Sequence, residues 1–305
     1  MNIAIIGIGG VGGFFGGKLS QILDVNKDLK LYFIARGEHL DKIKRNGLIL
    51  DSDEGKYFCR PTDAFEDISQ LPELDLCLVC VKSYDLQSVI EQLKSKISQN
   101  TIILPLLNGV DIYERIRSIT SKGILLPSCV YVGTHIEEPG VVKQRGGSRT
   151  IHFEKDPQNN YFEENILKKL DEAMIKYNFT DEPYSEIWSK FIFIASYGLV
   201  TSAFDKTLGE ILESEEYSGY VKTIMGEVKK LADSKNISLS EKIIEESFSK
   251  GFKFSHETKT SFQRDYENKD KMDERDLFGG TIIRLGEELS IEIPVTRKIY
   301  DIIVS

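Results

Sequence analysis

The chain changes its hydrophobic rhythm once, near residue 180. Before that point, short unbroken apolar runs alternate with helix-spaced stretches. The runs at 3–6, 31–35, 74–81, 101–107 and 124–133 read as strands. Their lack of in-and-out alternation is what parallel strands covered on both faces show. Helical spacing occupies about 11–23, then GEHLDKIKRNGL (37–48) and 84–97. Residues 48–60 suit a small strand pair, 135–147 a hairpin, 150–154 one more strand and 161–177 a helix. KDPQNN (155–160) is the clearest polar break. From Pro183 onward the strand pattern stops, and helical segments follow at about 184–204, 213–235, 240–250, 273–289 and 294–303. The charged run at 264–275 reads as a solvated, partly helical surface. The expected class is α/β: a doubly wound parallel sheet over 1–180, then an all-α domain over 181–305.

The first strand runs directly into a glycine turn, MNIAIIGIGGVGGFFGG. Strand, turn and helix N-terminus together seat a pyrophosphate, so Gly7, Ile8, Gly9, Gly10, Val11 and Gly12 are candidate cofactor contacts. Gly7 permits the turn, Gly9 leaves room for the phosphates, and Gly12 lets helix and strand pack closely. This makes the first domain Rossmann-like. The second strand ends in Arg36-Gly37 where an NAD site needs an acidic residue. An arginine there suits a ribose 2′-phosphate through a charge-assisted contact, so the expected cofactor is NADPH. Ligands of such sheets lie beyond the carboxyl ends of the strands, where Lys82 and Asn108 also fall. Taken singly, each of the two reads as an ordinary loop residue.

At 305 residues, with 41% hydrophobic and 29% charged residues, the chain suits a soluble two-domain protein. A net charge of −9 argues against nucleic acid as a general partner without forbidding an anionic substrate in a cleft. The chain opens without a charged leader, and its first apolar run is too short to span a membrane. A cytoplasmic location with no membrane association is therefore the expectation. Cys77 and Cys80 form a CxxC inside LDLCLVCV, but a spacing of three in a strand sends them to opposite faces, which suits buried apolar cysteines. No second CxxC or histidine cluster suggests a metal.

Further pieces carry a resemblance. After the glycine motif come ARGEHL (35–40), VKSYDL (81–86), LLNG (106–109), IWSKF (187–191), TSFQRD (260–265) and RLGEELSIEIPV (284–295). In this order they resemble the ketopantoate reductase (2-dehydropantoate 2-reductase) family across nearly the whole chain. The resemblance implies NADPH-dependent reduction of an α-keto acid to a D-hydroxy acid in pantothenate and coenzyme A synthesis, with the helical domain closing over the nicotinamide. It implies Lys190 as proton donor and Glu274 as the acidic residue near the reacting groups, with Asp273 as fallback. It makes Asn108 a contact of cofactor and substrate, Lys82 a cofactor neighbour, Ser261 a carboxylate ligand and Glu137 a backbone contact to the cofactor. An alkoxide forming as hydride arrives would be stabilised and protonated by such a lysine.

The chain departs from the family where asparagines commonly stand four and eight residues after the lysine, and once further on. Those positions read Ile194, Gly198 and Leu208. Either Ser196, Tyr197, Thr201 or Ser202 replaces them, or another α-keto acid is preferred. Two other readings stand beside this one. A β-hydroxyacid-type dehydrogenase fits the W-x-K helix followed by TSFQRD poorly, and a non-catalytic NADP-binding sensor would not need Lys190, Asn108 and Glu274 together. A monomer and a homodimer through the helical domain are both compatible with the sequence.

Overall fold

The computed structural model describes residues 1–159, 164–180, 183–268 and 272–305. The last residue of KDPQNN, the start of the helix expected at 161–177, residues 181–182 at the expected domain boundary, and 269–271 of the charged run lie outside the described residues. The chain divides into two compact units. One comprises Met1–Leu107 with Ile112–Pro183, and the other Asn108–Asp111 with Tyr184–Ser305. The four residues Asn108–Asp111 thus group with the helical unit, although they follow a strand of the first.

Among the described residues the first unit holds three sheets. The largest is parallel throughout, with order β5-β2-β1-β6-β7-β8. Its strands are β1 (Asn2–Ile6), β2 (Lys30–Ile34), β5 (Asp63–Phe65), β6 (Leu74–Val79), β7 (Ile97–Pro105) and β8 (Ile124–Leu125). Ile5 stands opposite Phe33 on one side and Leu78 on the other, all three fully buried. A second sheet joins β3 (Leu48–Ser52), β4 (Gly55–Cys59), β10 (Thr134–Glu138) and β11 (Val141–Gln144) in the order β10-β11-β3-β4. The third pairs β9 (Ser128–Tyr131), β12 (Thr150–Phe153) and β13 (Lys176–Phe179).

Helix α1 (Gly10–Ser20) packs against strands of both larger sheets, which explains its glycines and its burial all round. A Cβ at Gly13 would stand 2.5 Å from Val142, and one at Gly16 would stand 2.8 Å from Phe33. The unit's other helices are α2 (Gly37–Asn46), α3 (Ser83–Leu93), α4 (Ile112–Arg117) and α5 (Asn165–Glu172).

Three expectations need correction here. The single strand expected at 124–133 is two, β8 and β9, in different sheets. Pro127 between them has no N–H to donate, so a continuous ladder cannot run through it. The helix expected at 161–177 is α5 followed by β13, which adds parallel to β12. The helix expected to reach residue 97 ends at Leu93, and Ile97 opens β7. Cys77 and Cys80 hold free thiols, and burial pushes the Cys77 thiol up to about 12 and the Cys80 thiol up as well.

The second unit is built on α6 (Pro183–Phe204). By length and composition this helix could cross a membrane, but 67% of its apolar window is buried within the protein, as in a core helix. Around it lie α7 (Leu208–Glu213), α8 (Glu215–Ser234), α9 (Ile243–Lys250), α10 (Ser261–Glu267), α11 (Thr281–Leu289) and α12 (Pro294–Val304). The helix expected at 213–235 is α8, and the short α7 precedes it; between them Ser214 is extended and caps α8 by accepting from Tyr217 N–H. A π-helical turn, Asp276–Gly280, precedes α11, and its Phe278 stacks on Phe191 of α6 with ring centroids 6.2 Å apart. Such turns recur at functional sites.

Candidate functional site

In the first unit the glycine turn hangs from the end of β2. Gly7 N–H and Ile8 N–H both donate to Ile34 O, at 3.1 and 2.9 Å. Gly7 has φ +96°, open to glycine and costly for any other residue, and a Cβ there would also meet Val81 at 2.8 Å. A Cβ on Gly12 would stand 2.1 Å from Gly7 O, so helix and turn touch backbone to backbone. Above Gly9 the position is open: a Cβ would meet nothing within 4 Å. Gly13 N–H makes an intrahelical bond to Gly9 O at 2.9 Å, so the amides of Gly10, Val11 and Gly12 stand in the first turn, where the dipole favours an anion. No acidic side chain lies in that turn. An open cradle lined by amides fits a pyrophosphate.

Arg36 follows β2 and begins α2, and Lys82 follows β6 and begins α3. Both therefore sit at the carboxyl edge of the parallel sheet with the glycine turn. The Arg36 side chain is 70% exposed, and its Nη2 donates to Asp85 Oδ2 at 2.6 Å. Asp85 in the first turn of α3 thus orients the guanidinium. This partner was missed in the sequence, since 49 residues separate the pair and only the fold joins them.

Glu137 lies on β10, at the register shift between Ile136 and Glu138. Its carboxylate accepts from His135 and from Lys143, which together hold it below the usual carboxylate range. A bulge residue is unpaired in its ladder, a setting compatible with a backbone contact. Thr134, at the start of the same strand, lies where a Cβ on Gly10 would come within 2.7 Å of its hydroxyl.

In the second unit, Lys190 and Asn108 come together. Lys190 Nζ donates to Asn108 Oδ1 at 2.6 Å, and both residues are partly buried. The loop that carries Asn108 is tied again at Asp111, whose Oδ2 accepts from Thr281 Oγ1 at 3.2 Å, with Arg284 at 3.9 Å. Glu274 is 4% exposed and leads into the π turn that stacks on α6. Asp273, its alternative, is occupied by Arg275, which reaches it through backbone N–H at 2.9 Å and Nη2 at 2.6 Å. Both carboxyl groups are buried, the Asp273 side chain being 6% exposed. Ser261 opens α10 and is exposed, one residue after the cap Thr260.

Ser196 stands elsewhere. It lies six residues after Lys190, about 240° round the helix, and its hydroxyl is buried with no hydrogen-bond partner among the described residues. The expectation that it binds substrate is not supported, because the Lys190 face turns away from it. Tyr197 donates to Phe248 O at 2.8 Å, and Thr201 shares its hydroxyl with Gly198 O and Thr260, so both are held by internal bonds.

A lysine ammonium held by an amide oxygen can stabilise a developing alkoxide and pass it a proton. A glycine cradle with an arginine beyond the next strand can hold a phosphorylated dinucleotide.

Residues 3–158 match the family described as ketopantoate reductase PanE/ApbA, and residues 184–304 match its C-terminal counterpart. The chain is 28% identical to an uncharacterized oxidoreductase, YkpB of Bacillus subtilis, covering 98% of this chain and 97% of that one. A crystal structure of 2-dehydropantoate 2-reductase from Porphyromonas gingivalis has 27% identity and a TM-score of 0.84, covering 100% and 99% of the two chains. A ternary structure of D-mandelate dehydrogenase with NADH and anilino(oxo)acetate shares the fold at 22% identity, with a TM-score of 0.86 and 100% and 97% coverage.

Proposed function

Because the chain belongs to the ketopantoate reductase family, an oxidoreductase family, we propose that it reduces a short α-keto acid of the 2-dehydropantoate type to the 2-hydroxy acid with NADPH. The hydrogen bond from Lys190 to Asn108 carries this reading. It gives the helical unit one oriented cation at the position that the family resemblance assigns to the proton donor. When bound, the cofactor supplies hydride to C2 of the keto acid and leaves as NADP+.

Lys190 supplies the proton that converts the C2 alkoxide to a hydroxyl, and the charge of its ammonium stabilises the alkoxide as it forms. An ordinary lysine is already protonated at neutral pH, so no large pKa shift is needed. Asn108 fixes the ammonium in direction. Ser261, exposed at the start of α10, donates to the substrate carboxylate in this reading. Glu274 supplies a buried carboxyl group to the same unit.

The preference for NADPH rests on Arg36. Its exposed guanidinium, oriented by Asp85, suits a 2′-phosphate, and no carboxylate ends β2 to bind a free ribose hydroxyl. The test follows NADPH absorbance with 2-dehydropantoate and related α-keto acids, with NADH, Lys190→Met and Arg36→Ala alongside. Oxidation selective for NADPH, lost in Lys190→Met, and with the selectivity lost in Arg36→Ala, is expected. Full activity in Lys190→Met, or no turnover of any α-keto acid, overturns the proposal.

A further inference from the structure

The helix that carries Lys190 offers a substrate very little beyond the ammonium itself. One turn on, Ile194 stands on the same side and is partly exposed. Two turns on is Gly198, which is buried; a Cβ there would lie in ordinary contact with Phe262, 3.4 Å from its Cδ1 and 3.5 Å from its Cβ. Phe262 is 1% exposed, with Phe278 at 5.3 Å and Tyr266 at 6.2 Å between ring centroids, so it has little room to withdraw. Leu208 is buried at the start of α7, and its N–H is bonded to Thr258 O at 2.9 Å.

The hydroxyls of this stretch offer no replacement. Tyr197 and Thr201 are committed to bonds within the unit, and Ser196 and Ser202 are buried at about 240° and 120° from Lys190. Tyr197 and Thr201 fall within about 20° of Lys190 round the helix but are fully buried, and Glu186, partly exposed, lies one turn earlier toward the other end of the helix. From Lys190 toward the C-terminus of α6, the exposed part of this face is therefore Ile194, and residues 195–202 beyond it are buried.

We propose that this face selects an α-keto acid whose side chain is apolar and free of hydroxyl. The inference rests on the α-keto acid reductase reading, and names the substrate class of that same site. A site that hydrogen-bonds a substrate hydroxyl rejects the analogue lacking it by about 10⁴–10⁵-fold, whereas an apolar wall rejects an added hydroxyl by at most about 10²-fold. The two designs therefore predict opposite orders for one pair of compounds, 2-dehydropantoate and 3,3-dimethyl-2-oxobutanoate, which differ by a single hydroxyl.

The experiment measures kcat/KM for both acids with the wild type, Ile194→Asn and Ile194→Thr, with Lys190→Met as control. The expected result is a preference of about 10–100-fold for the deoxy acid, narrowed or reversed in Ile194→Asn, and in Ile194→Thr if the asparagine variant does not fold. A wild-type preference for 2-dehydropantoate, or a ratio unmoved by both substitutions, overturns the inference while leaving the reductase reading intact. Turnover of neither acid, nor of any other α-keto acid, overturns both. The same follows from turnover that survives Lys190→Met.

Discussion

Lys190 Nζ lies 2.6 Å from Asn108 Oδ1, a hydrogen bond that closes 82 residues of sequence inside the helical unit. A charge-assisted bond of this kind contributes about 1.5–3 kcal/mol. If its purpose is to aim the proton donor, its loss appears in the chemical step. Lys190→Met is expected to lower kcat by about 10²–10⁴-fold, and Asn108→Ala by about tenfold or more. Because the two act as one device, the double variant should be no slower than Lys190→Met alone. Single-turnover rates with saturating NADPH check this, and additive losses would show that the pair does not act together.

Gly9 and Gly12 separate cofactor binding from folding. A methyl on Gly9 meets nothing in the protein, whereas one on Gly12 meets Gly7 O at 2.1 Å. Gly9→Ala is therefore expected to keep the wild-type melting temperature while losing at least about tenfold in NADPH affinity, since its methyl enters the phosphate approach. Gly12→Ala should be destabilised before any binding is measured. Thermal denaturation paired with cofactor titration distinguishes the two. Unchanged NADPH affinity in a folded Gly9→Ala would remove the pyrophosphate from this turn.

His39 couples stability to pH. Its Nδ1 accepts the Gly140 N–H at 3.0 Å, which ties α2 to the β10–β11 hairpin and requires that nitrogen to be unprotonated. Burial lowers its pKa below 6.5. The depressed folded-state value means that the unfolded chain takes up a proton first as pH falls. The contribution is thus complete above about 6.5 and is lost as pH drops toward the folded-state pKa. Urea unfolding between pH 7.5 and 5.5 should show this decline, and His39→Gln should flatten part of it. An equal slope in the variant would exclude His39 as its source.

Glu227 holds the last helix. Buried on α8, it accepts from Val295 N–H and Thr296 N–H at 2.8 Å, and from the Thr296 hydroxyl at 2.6 Å. These groups open α12, which has no side-chain cap of its own. Glu227→Ala strands them and is expected to cost about 2–4 kcal/mol in denaturant unfolding, with NADPH affinity unchanged. A loss below about 0.5 kcal/mol would mean that water replaces the carboxylate.

Local chemistry carried much of this protein into view without a structure. Unbroken apolar runs predict the parallel strands β1, β2, β6 and β7, because burial on both faces leaves no room for alternation. Gly7, Gly9 and Gly12 announce the cofactor turn because their spacing is a backbone requirement, met within a dozen residues. The limits are equally physical. A helical period cannot show that a strand, β13, would follow α5 within one expected helix, nor an apolar run that Pro127 would divide it between sheets. Asp85 beneath Arg36, Arg275 on Asp273 and Phe262 over Gly198 are contacts made by packing, and two of the three join residues dozens of positions apart. Sequence by itself determined the fold class, the glycine turn and the residue types at the candidate site. Tertiary structure alone decided which polar groups stay available to a ligand, because a hydroxyl or carboxylate is removed from that role by whatever partner folding brings to it.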